Sequence, residues 1–498
     1  HAEVGDRAGD ALRVDGRDLR AKVVGEGGNL GFTQRGRIEY ARHGGRLNTD
    51  AVDNSAGVDC SDHEVNIKIL LGAAVADGHM TAPQRDALLV EMTEEVAALV
   101  LRDNYLQGQA IGMAGAEGPE ALEHHARLIR GLERSGRLDR GIEYLPDEET
   151  LAERRARKLG LTRPELAVLM AYAKTALYTD LLASDVPDDP YFAADLVRYF
   201  PRPLRQKLGE SIPRHRLRRE IVAAGLANSI VNRLGIGVAA EIQDETQADV
   251  AALARAVTVA REAFALRPLW SGIEALDNQA TAAMQFRALR TVRDLHRRAA
   301  IWLLRHRPRA TDVKAMIEEF APGVATLWGE LARVLPEREG QAWKARQAEL
   351  EAEKLPAPLA MRIAAQPVLV SAFDVVAAAR KAGQPVAAVA QVYFGFGHRL
   401  GIDWLREGAA AISASDHWER HALAAVVEDL YARQQDLTAA ALAGANGAAD
   451  PVEHWVRSRH AAVERLDRLL EEFRHQGALD LARLALAERG IAAAATAA

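Results

Sequence analysis

Residues 53–61 read Asp53-Asn54-Ser55-Ala56-Gly57-Val58-Asp59-Cys60-Ser61, and upstream lies Gly25-Glu26-Gly27-Gly28-Asn29. Arg20–Val24 reads as a short strand running into the first loop. Leu47–Val52 reads as a second strand running into the other. Gln34–Arg42 between them reads as a short helix, stopped by Gly44-Gly45. Strand, helix, strand is a βαβ unit, and such units build parallel sheets. Ligands of such sheets sit beyond the carboxyl ends of the strands. Glycines there let a backbone approach a ligand closely, and an asparagine amide both donates and accepts. Taken singly, the first loop also reads as a tight turn. Asn54-Ser55-Ala56-Gly57 alone also reads as a turn and helix N-cap.

From about residue 62 the pattern is helical. Thr81-Ala82-Pro83-Gln84 is a capping box, and Leu88, Met92, Val96 and Val100 follow at helical spacing. Thr162-Arg163-Pro164-Glu165 repeats the start signal before Leu166, Leu169, Met170 and Ala173. Helical periodicity continues to the end of the chain, with breaks expected at 141–147, 184–190, 305–309, Pro322-Gly323 and 355–358. The closing stretch 492–498 is low in complexity and expected to fray.

At 498 residues and a formal net charge of −6, the chain exceeds one hydrophobic core, and two to four domains are expected. The mild acidity gives no global pull toward nucleic acid or anionic membrane. Cys60 is the single cysteine, so no intrachain disulfide forms, which fits a reducing cytoplasm. The apolar runs fall short of the roughly 20 residues that a membrane span needs.

The ordered set of motifs resembles a stretch of glutamate dehydrogenases written Glu-Gly-Ala-Asn, then Pro-Asp, then Asn-Ala-Gly-Gly-Val-x-x-Ser. Its form here is similar to the large NAD-specific glutamate dehydrogenases of bacteria. Leu161–Leu169 and Leu400-Gly401-Ile402-Asp403-Trp404-Leu405 resemble their helical C-terminal region. The resemblance implies a cytoplasmic, homo-oligomeric full-length enzyme that interconverts L-glutamate and 2-oxoglutarate using NAD. By resemblance Asn29 and Asn54 face the nicotinamide and its ribose, with Gly27 and Gly28 of the same loop counted as cofactor-binding, and Ser61 hydrogen-bonds the distal carboxylate of glutamate. A helix N-terminus around Ser61 would favour that anion. Gly28 stands where Ala is usual, and Asp59 near an anionic substrate is unexpected. The family's catalytic Lys and Asp and its phosphate-binding glycine turn precede these motifs. The chain is therefore expected to be the C-terminal portion of a longer polypeptide, inactive alone, with no catalytic residue of its own.

The fold expected is mainly α, with a short α/β remnant of a nucleotide-binding fold followed by a large all-helical region. Residues 1–60 would end the NAD-binding domain. Residues 61–140 would complete the catalytic domain, and 141–498 would form a helical C-terminal domain. A noncatalytic helical scaffold or regulatory domain is the alternative.

Other signals are weaker. Gly235-Ile236-Gly237-Val238-Ala239-Ala240 matches a dinucleotide glycine fingerprint, but it follows a helical run and reads as a helix C-cap. Gly395–Gly401 reads as a turn between helices. No metal site is expected: Cys60 and His63 lack a second ligand pair, and His124 and His125 point about 100° apart on a helix. Cys60 with His63 as base would make a nucleophile, with nothing else in support. The basic stretch Arg198–Arg219 suits either a polynucleotide or acidic partners within the protein. The second reading is preferred because Asp185, Asp188, Asp189 and Asp195 precede it.

Overall fold

The computed structural model describes residues 13–29, 31–308, 311–413, 417–445 and 448–497, apart from the side chain of residue 417. It is mainly helical. The chain divides into two compact units, one holding the chain up to Thr258 with Leu303–Val313, the other holding Val259–Trp302 and Lys314–Ala498.

The first unit opens with α1 (Gln34–Arg42), α2 (Asp50–Asp53), α3 (Ser55–Ala76), α4 (Ala82–Glu91) and α5 (Thr93–Glu117). It continues with α6 (Leu122–Arg134), α7 (Glu148–Ala156) and α8 (Arg163–Ala183). Then come α9 (Ala193–Tyr199), α10 (Arg202–Leu208), α11 (Arg218–Leu234) and α12 (Val238–Thr246). Both expected capping boxes form. The Thr81 amide donates to Gln84 Oε1 at 2.9 Å, and the Thr162 amide donates to Glu165 Oε2 at 2.7 Å. The Glu165 carboxylate also takes both terminal nitrogens of Arg154 at 2.7 and 2.8 Å, in a pair almost wholly buried. Leu166, Leu169 and Met170 are buried, as their spacing predicts, and α8 packs against α5 and α11. By length and composition alone α8 could cross a membrane, a property the sequence reading did not find.

The expected strands are corrected. Among the described residues Val23 and Arg46 form one isolated parallel bridge, and no longer strand is present. Val24 N donates to Arg46 O at 2.9 Å and Arg46 N donates to Lys22 O at 3.0 Å. Beyond Arg46 the chain turns helical, because the amides of Val52 and Asp53 both bond the Thr49 carbonyl. The crossover helix α1 is as predicted. Its Tyr40 hydroxyl donates to Ala21 O at 2.6 Å, and its ring lies where a Cβ on Gly45 would sit, 2.2 Å away, so Gly45 admits no side chain.

In the second unit Phe264, Trp302, Phe320 and Phe373 pack ring against ring, with centroids 4.7–5.4 Å apart. The Trp302 indole donates to buried Asp374 at 2.6 Å. A second cluster gathers Phe396, Leu400, Leu430, Leu466, Leu484 and Ile491.

Three further expectations are corrected. Helix Val313–Val334 runs through Pro322. Gly323, next to it, lies so close to Val376 that a Cβ would be 2.7 Å from its methyl, so the helix is packed tightly at the point where proline removes a hydrogen bond. Gly395 and Gly397 lie inside helix Val386–Arg399, and only Gly401 is a turn residue, with φ 68°. Helix Leu481–Thr496 continues through the alanine-rich end because Ile491 and Ala494 are buried.

Candidate functional site

Around the single bridge, a buried polar network holds the two loops together. Glu26 and Arg37 are both buried, and their side chains pair twice at 2.8 Å. Glu26 Oε1 also accepts from the Phe32 amide at 2.8 Å, which closes the first loop. The Glu26 amide donates to Asp53 Oδ2 at 2.9 Å, which joins the first loop to the second. Arg37 reaches Asp50 at 3.1 Å, and Asn48 donates to Asp53 Oδ1 at 2.8 Å. Arg163 of α8 donates to Asn48 Oδ1 at 2.8 Å, so α8 anchors the assembly. Burial pulls the Arg37 pKa down, but Glu26 and Asp50 more than restore it, and it ends above its ordinary value.

The network places Asn29 and Asn54 together. Asn54 Nδ2 donates to Asn29 Oδ1 at 2.9 Å, across 25 residues of sequence. Asn29 has φ 58°, a left-handed conformation that asparagine tolerates better than most residues. Asn54 caps the start of α3, and the Gly57 amide donates to its carbonyl at 2.9 Å. A Cβ on Gly57 would sit 2.5 Å from Asn54 Oδ1, so the glycine leaves room for that side chain. Around Gly25, Gly27 and Gly28 a Cβ would meet nothing within 4 Å.

Ser61 is exposed, and its hydroxyl makes one long contact, 3.5 Å to Gly57 O. It is the seventh residue of α3, so the expectation of a helix N-terminus is corrected. The amides of the first turn lie beside Asn54, leaving Ser61 its hydroxyl alone to offer. Seven residues make nearly two turns, so Asn54 and Ser61 share one face of α3, roughly 10 Å apart along its axis. Ser55 turns to α5, accepting from Asn104 Nδ2 at 3.0 Å and Gln107 Nε2 at 3.2 Å.

The profile described as "Glutamate dehydrogenase, C-terminal" matches residues 158–493. The profile "Bacterial NAD-glutamate dehydrogenase, catalytic domain" matches residues 1–114. The chain belongs to the bacterial NAD-glutamate dehydrogenase family. It is 41% identical over 474 residues to the NAD-specific glutamate dehydrogenase of Halomonas elongata, covering 95% of this chain and 29% of that protein. Identity to the Pseudomonas aeruginosa protein of the same name is 41% over 492 residues, or 98% of this chain and 30% of that one. The Mycobacterium tuberculosis protein of that name is 38% identical over 493 residues. The chain thus spans about 30% of the length of these glutamate dehydrogenases.

The remaining sequence candidates resolve as follows. Gly235 caps the end of α11 with φ 114°, as expected of a helix stop. The basic stretch pairs with acids of the same unit. Arg205 meets Glu95, Lys207 meets Glu91, Arg198 meets Asp195, and Arg218 and Arg219 meet Asp188. Neither ring nitrogen of His63 has a hydrogen-bond partner, so no Cys60–His63 pair forms. His124 bonds Glu241 at 2.7 Å, while His125 is buried beside it. The network residues Glu26, Arg37, Asp53 and Arg163 were not singled out from the sequence. A charged residue inside each glycine-rich loop was the available signal.

Burial first, then the neighbouring His124, lowers the His125 pKa to about 4. The neutral ring is favoured in the folded state, so its contribution is complete above the unfolded value near 6.5 and is lost as pH falls toward 4. We expect His125→Leu to reduce the loss of stability between pH 6.5 and 4 by about 2–3 kcal/mol. Thermal melts of the two proteins across that range check it, and parallel curves would contradict it.

Proposed function

We propose that this chain supplies the nicotinamide-facing and substrate-facing end of an NAD-dependent glutamate dehydrogenase. The enzyme would interconvert L-glutamate, NAD and water with 2-oxoglutarate, ammonia and NADH. The observation that carries the reading is the Asn29–Asn54 contact at 2.9 Å beside glycines with open space around them. Both asparagines are half-bonded amides that still have a donor or acceptor to offer. Open backbone at Gly27 and Gly28 suits the close approach of a flat ring. NAD would supply the hydride acceptor, and the protein would supply orientation and electrostatics. Ser61, on the Asn54 face of α3, would donate its hydroxyl to the distal carboxylate of glutamate. The Val23–Arg46 bridge with its α1 crossover is the remnant of the nucleotide-binding fold in this reading.

The catalytic Lys and Asp and the phosphate-binding turn would come from sequence upstream of residue 1. The assembled enzyme would be a cytoplasmic homo-oligomer, without nucleic-acid or membrane partners. The boundaries follow the same reading: residues 1–60 end the NAD-binding domain, 61–140 complete the catalytic domain, and 141–498 form the helical domain.

The test is NADH formation from glutamate. The chain alone is expected to give no turnover, and the same chain extended by its upstream coding sequence is expected to turn over. Absence of activity in the extended protein would favour the scaffold alternative. Within the active enzyme, Ser61→Ala is expected to raise the KM for glutamate roughly ten- to a hundred-fold, the cost of one hydrogen bond to a charged group. The KM for NAD should stay within about two-fold. An unchanged glutamate KM would remove Ser61 from the site.

A further inference from the structure

On the opposite side of α3 from Ser61, the structure assembles a group that the sequence keeps apart. Asp59 and His63 are four residues apart and lie one turn above each other. Asp103 comes from α5, which packs along α3. One donor atom from each of these three side chains lies within 4.8 Å of the other two. His63 Nε2 is 4.0 Å from Asp59 Oδ1.

The hydrogen-bond account of this group is incomplete. His63 is 2% exposed, yet neither ring nitrogen has a partner. Asp59 Oδ2 is buried and also has none. Buried polar atoms are satisfied in the great majority of cases. An imidazole nitrogen and a carboxylate oxygen side by side, both unsatisfied, are what a cation would complete. The ring is also held in place. Tyr199 stacks on it with centroids 4.5 Å apart, and the Tyr199 hydroxyl donates to Asp62 Oδ2 and accepts from Asn66 Nδ2, both at 2.9 Å. The stack fixes the plane of the imidazole.

We propose that Asp59, His63 and Asp103 bind one divalent first-row transition-metal ion, which ties α3 to α5. One imidazole nitrogen with two carboxylates suits Zn²⁺ or Mn²⁺, whereas Mg²⁺ favours all-oxygen surroundings. Bonds of roughly 2.0–2.2 Å place donors about 3–3.5 Å apart, so the three side chains close by about an ångström on binding. Two residues along a helix are about 200° of rotation, so the ion lies away from the Ser61 face. It acts on the site by holding the helix that carries Asn54 and Ser61. The proposal does not depend on the dehydrogenase reading.

Lys174 of α8 and Arg102 of α5 are cations that attract Asp103, and Lys174 is the stronger of the two. Burial lowers its pKa to about 8, while attraction to Asp103 works to raise it. Its Nζ makes no hydrogen bond, so a metal ion has no ion-paired lysine to displace. Asp62 adds negative potential, felt by both Asp59 and His63.

The test is calorimetric titration of Zn²⁺, Mn²⁺ and Mg²⁺ into the chain after treatment with chelator. One equivalent of Zn²⁺ is expected, with Mg²⁺ at least about 100-fold weaker. His63→Ala and Asp103→Asn should each weaken Zn²⁺ at least about 100-fold, while Ser61→Ala leaves it unchanged. Lys174→Met should tighten it several-fold by removing a like charge. Circular dichroism confirms that each variant folds, and Asp103→Asn stands in if His63→Ala does not. The absorption spectrum of the Co²⁺-loaded chain should change in Asp103→Asn. Absence of saturable Zn²⁺ binding would overturn the proposal. So would undiminished binding in the folded variants, which would place the ion on other histidines among the 15.

Discussion

Replacing Arg37 with alanine is expected to destabilise the two-loop assembly by about 3–5 kcal/mol, because it strands a buried carboxylate. Glu26 is 5% exposed, and Arg37 supplies two of the three hydrogen bonds to its oxygens among the described residues. The loss should be local, since the rest of the first unit has its own core in α5, α8 and α11. Hydrogen exchange of peptides covering residues 20–55 reads it directly. Exchange should speed up roughly a hundred- to several-thousand-fold in Arg37→Ala, the same energy expressed as a rate ratio. The double variant Arg37→Met with Glu26→Leu should recover much of the protection, because removing both charges leaves none buried without a partner. Equal exchange in the single and double variants would show that the pair does not hold the loops.

The second large effect concerns Asn54 in the enzyme extended by its upstream sequence. Asn54→Asp is expected to weaken NAD more than Asn54→Ala does. The alanine variant loses a donor. The aspartate variant also sets an anion 2.9 Å from the Asn29 amide oxygen and, in the proposed site, beside the cofactor. Losses of about ten-fold for alanine and a hundred-fold or more for aspartate follow, the latter from repulsion added to a lost hydrogen bond. Gly57→Ala should resemble Asn54→Ala, since its methyl would lie 2.5 Å from Asn54 Oδ1 and displace that side chain. KM values for NAD and glutamate separate the causes. An Asn54→Asp enzyme with ordinary NAD kinetics would remove Asn54 from the cofactor site.

What could be read from the sequence depended on how local its cause was. The capping boxes at Thr81 and Thr162 are completed within four residues, so the motif alone predicts them. The apolar face of α8 was legible for the same reason, since helical spacing alone marks it. The strand expected over Leu47–Val52 fails because Asp53 is held by Glu26, 27 residues away, and by Asn48, and these bonds favour a helical turn. Pro322 reads as a break, yet the helix runs through it, and the closeness of Gly323 to Val376 is a tertiary contact that the local sequence does not show.

The candidate site divides in the same way. Asn29, Asn54 and Ser61 were legible as a spaced motif. The meeting of Asn29 and Asn54 depends on buried charges that look like loop decoration in one dimension. Asp59 looked out of place beside an anionic substrate, because the sequence gives no sign that it turns to the other side of α3 toward Asp103. The tryptophans show the limit of pattern alone. Trp270, Trp302, Trp343 and Trp455 lie in apolar helical runs and are buried, whereas Trp418, in the same kind of run, is 77% exposed.

The central claim is that Asn29 and Asn54 act as one cradle for the nicotinamide end of NAD. The most direct measurement is a double-mutant cycle on NAD affinity in the extended enzyme, using Asn29→Ala, Asn54→Ala and the pair. Because the two amides bond each other, their effects should be non-additive by about 0.5–3 kcal/mol. Effects that add to within about 0.3 kcal/mol, or single variants that leave NAD affinity unchanged, would contradict the account.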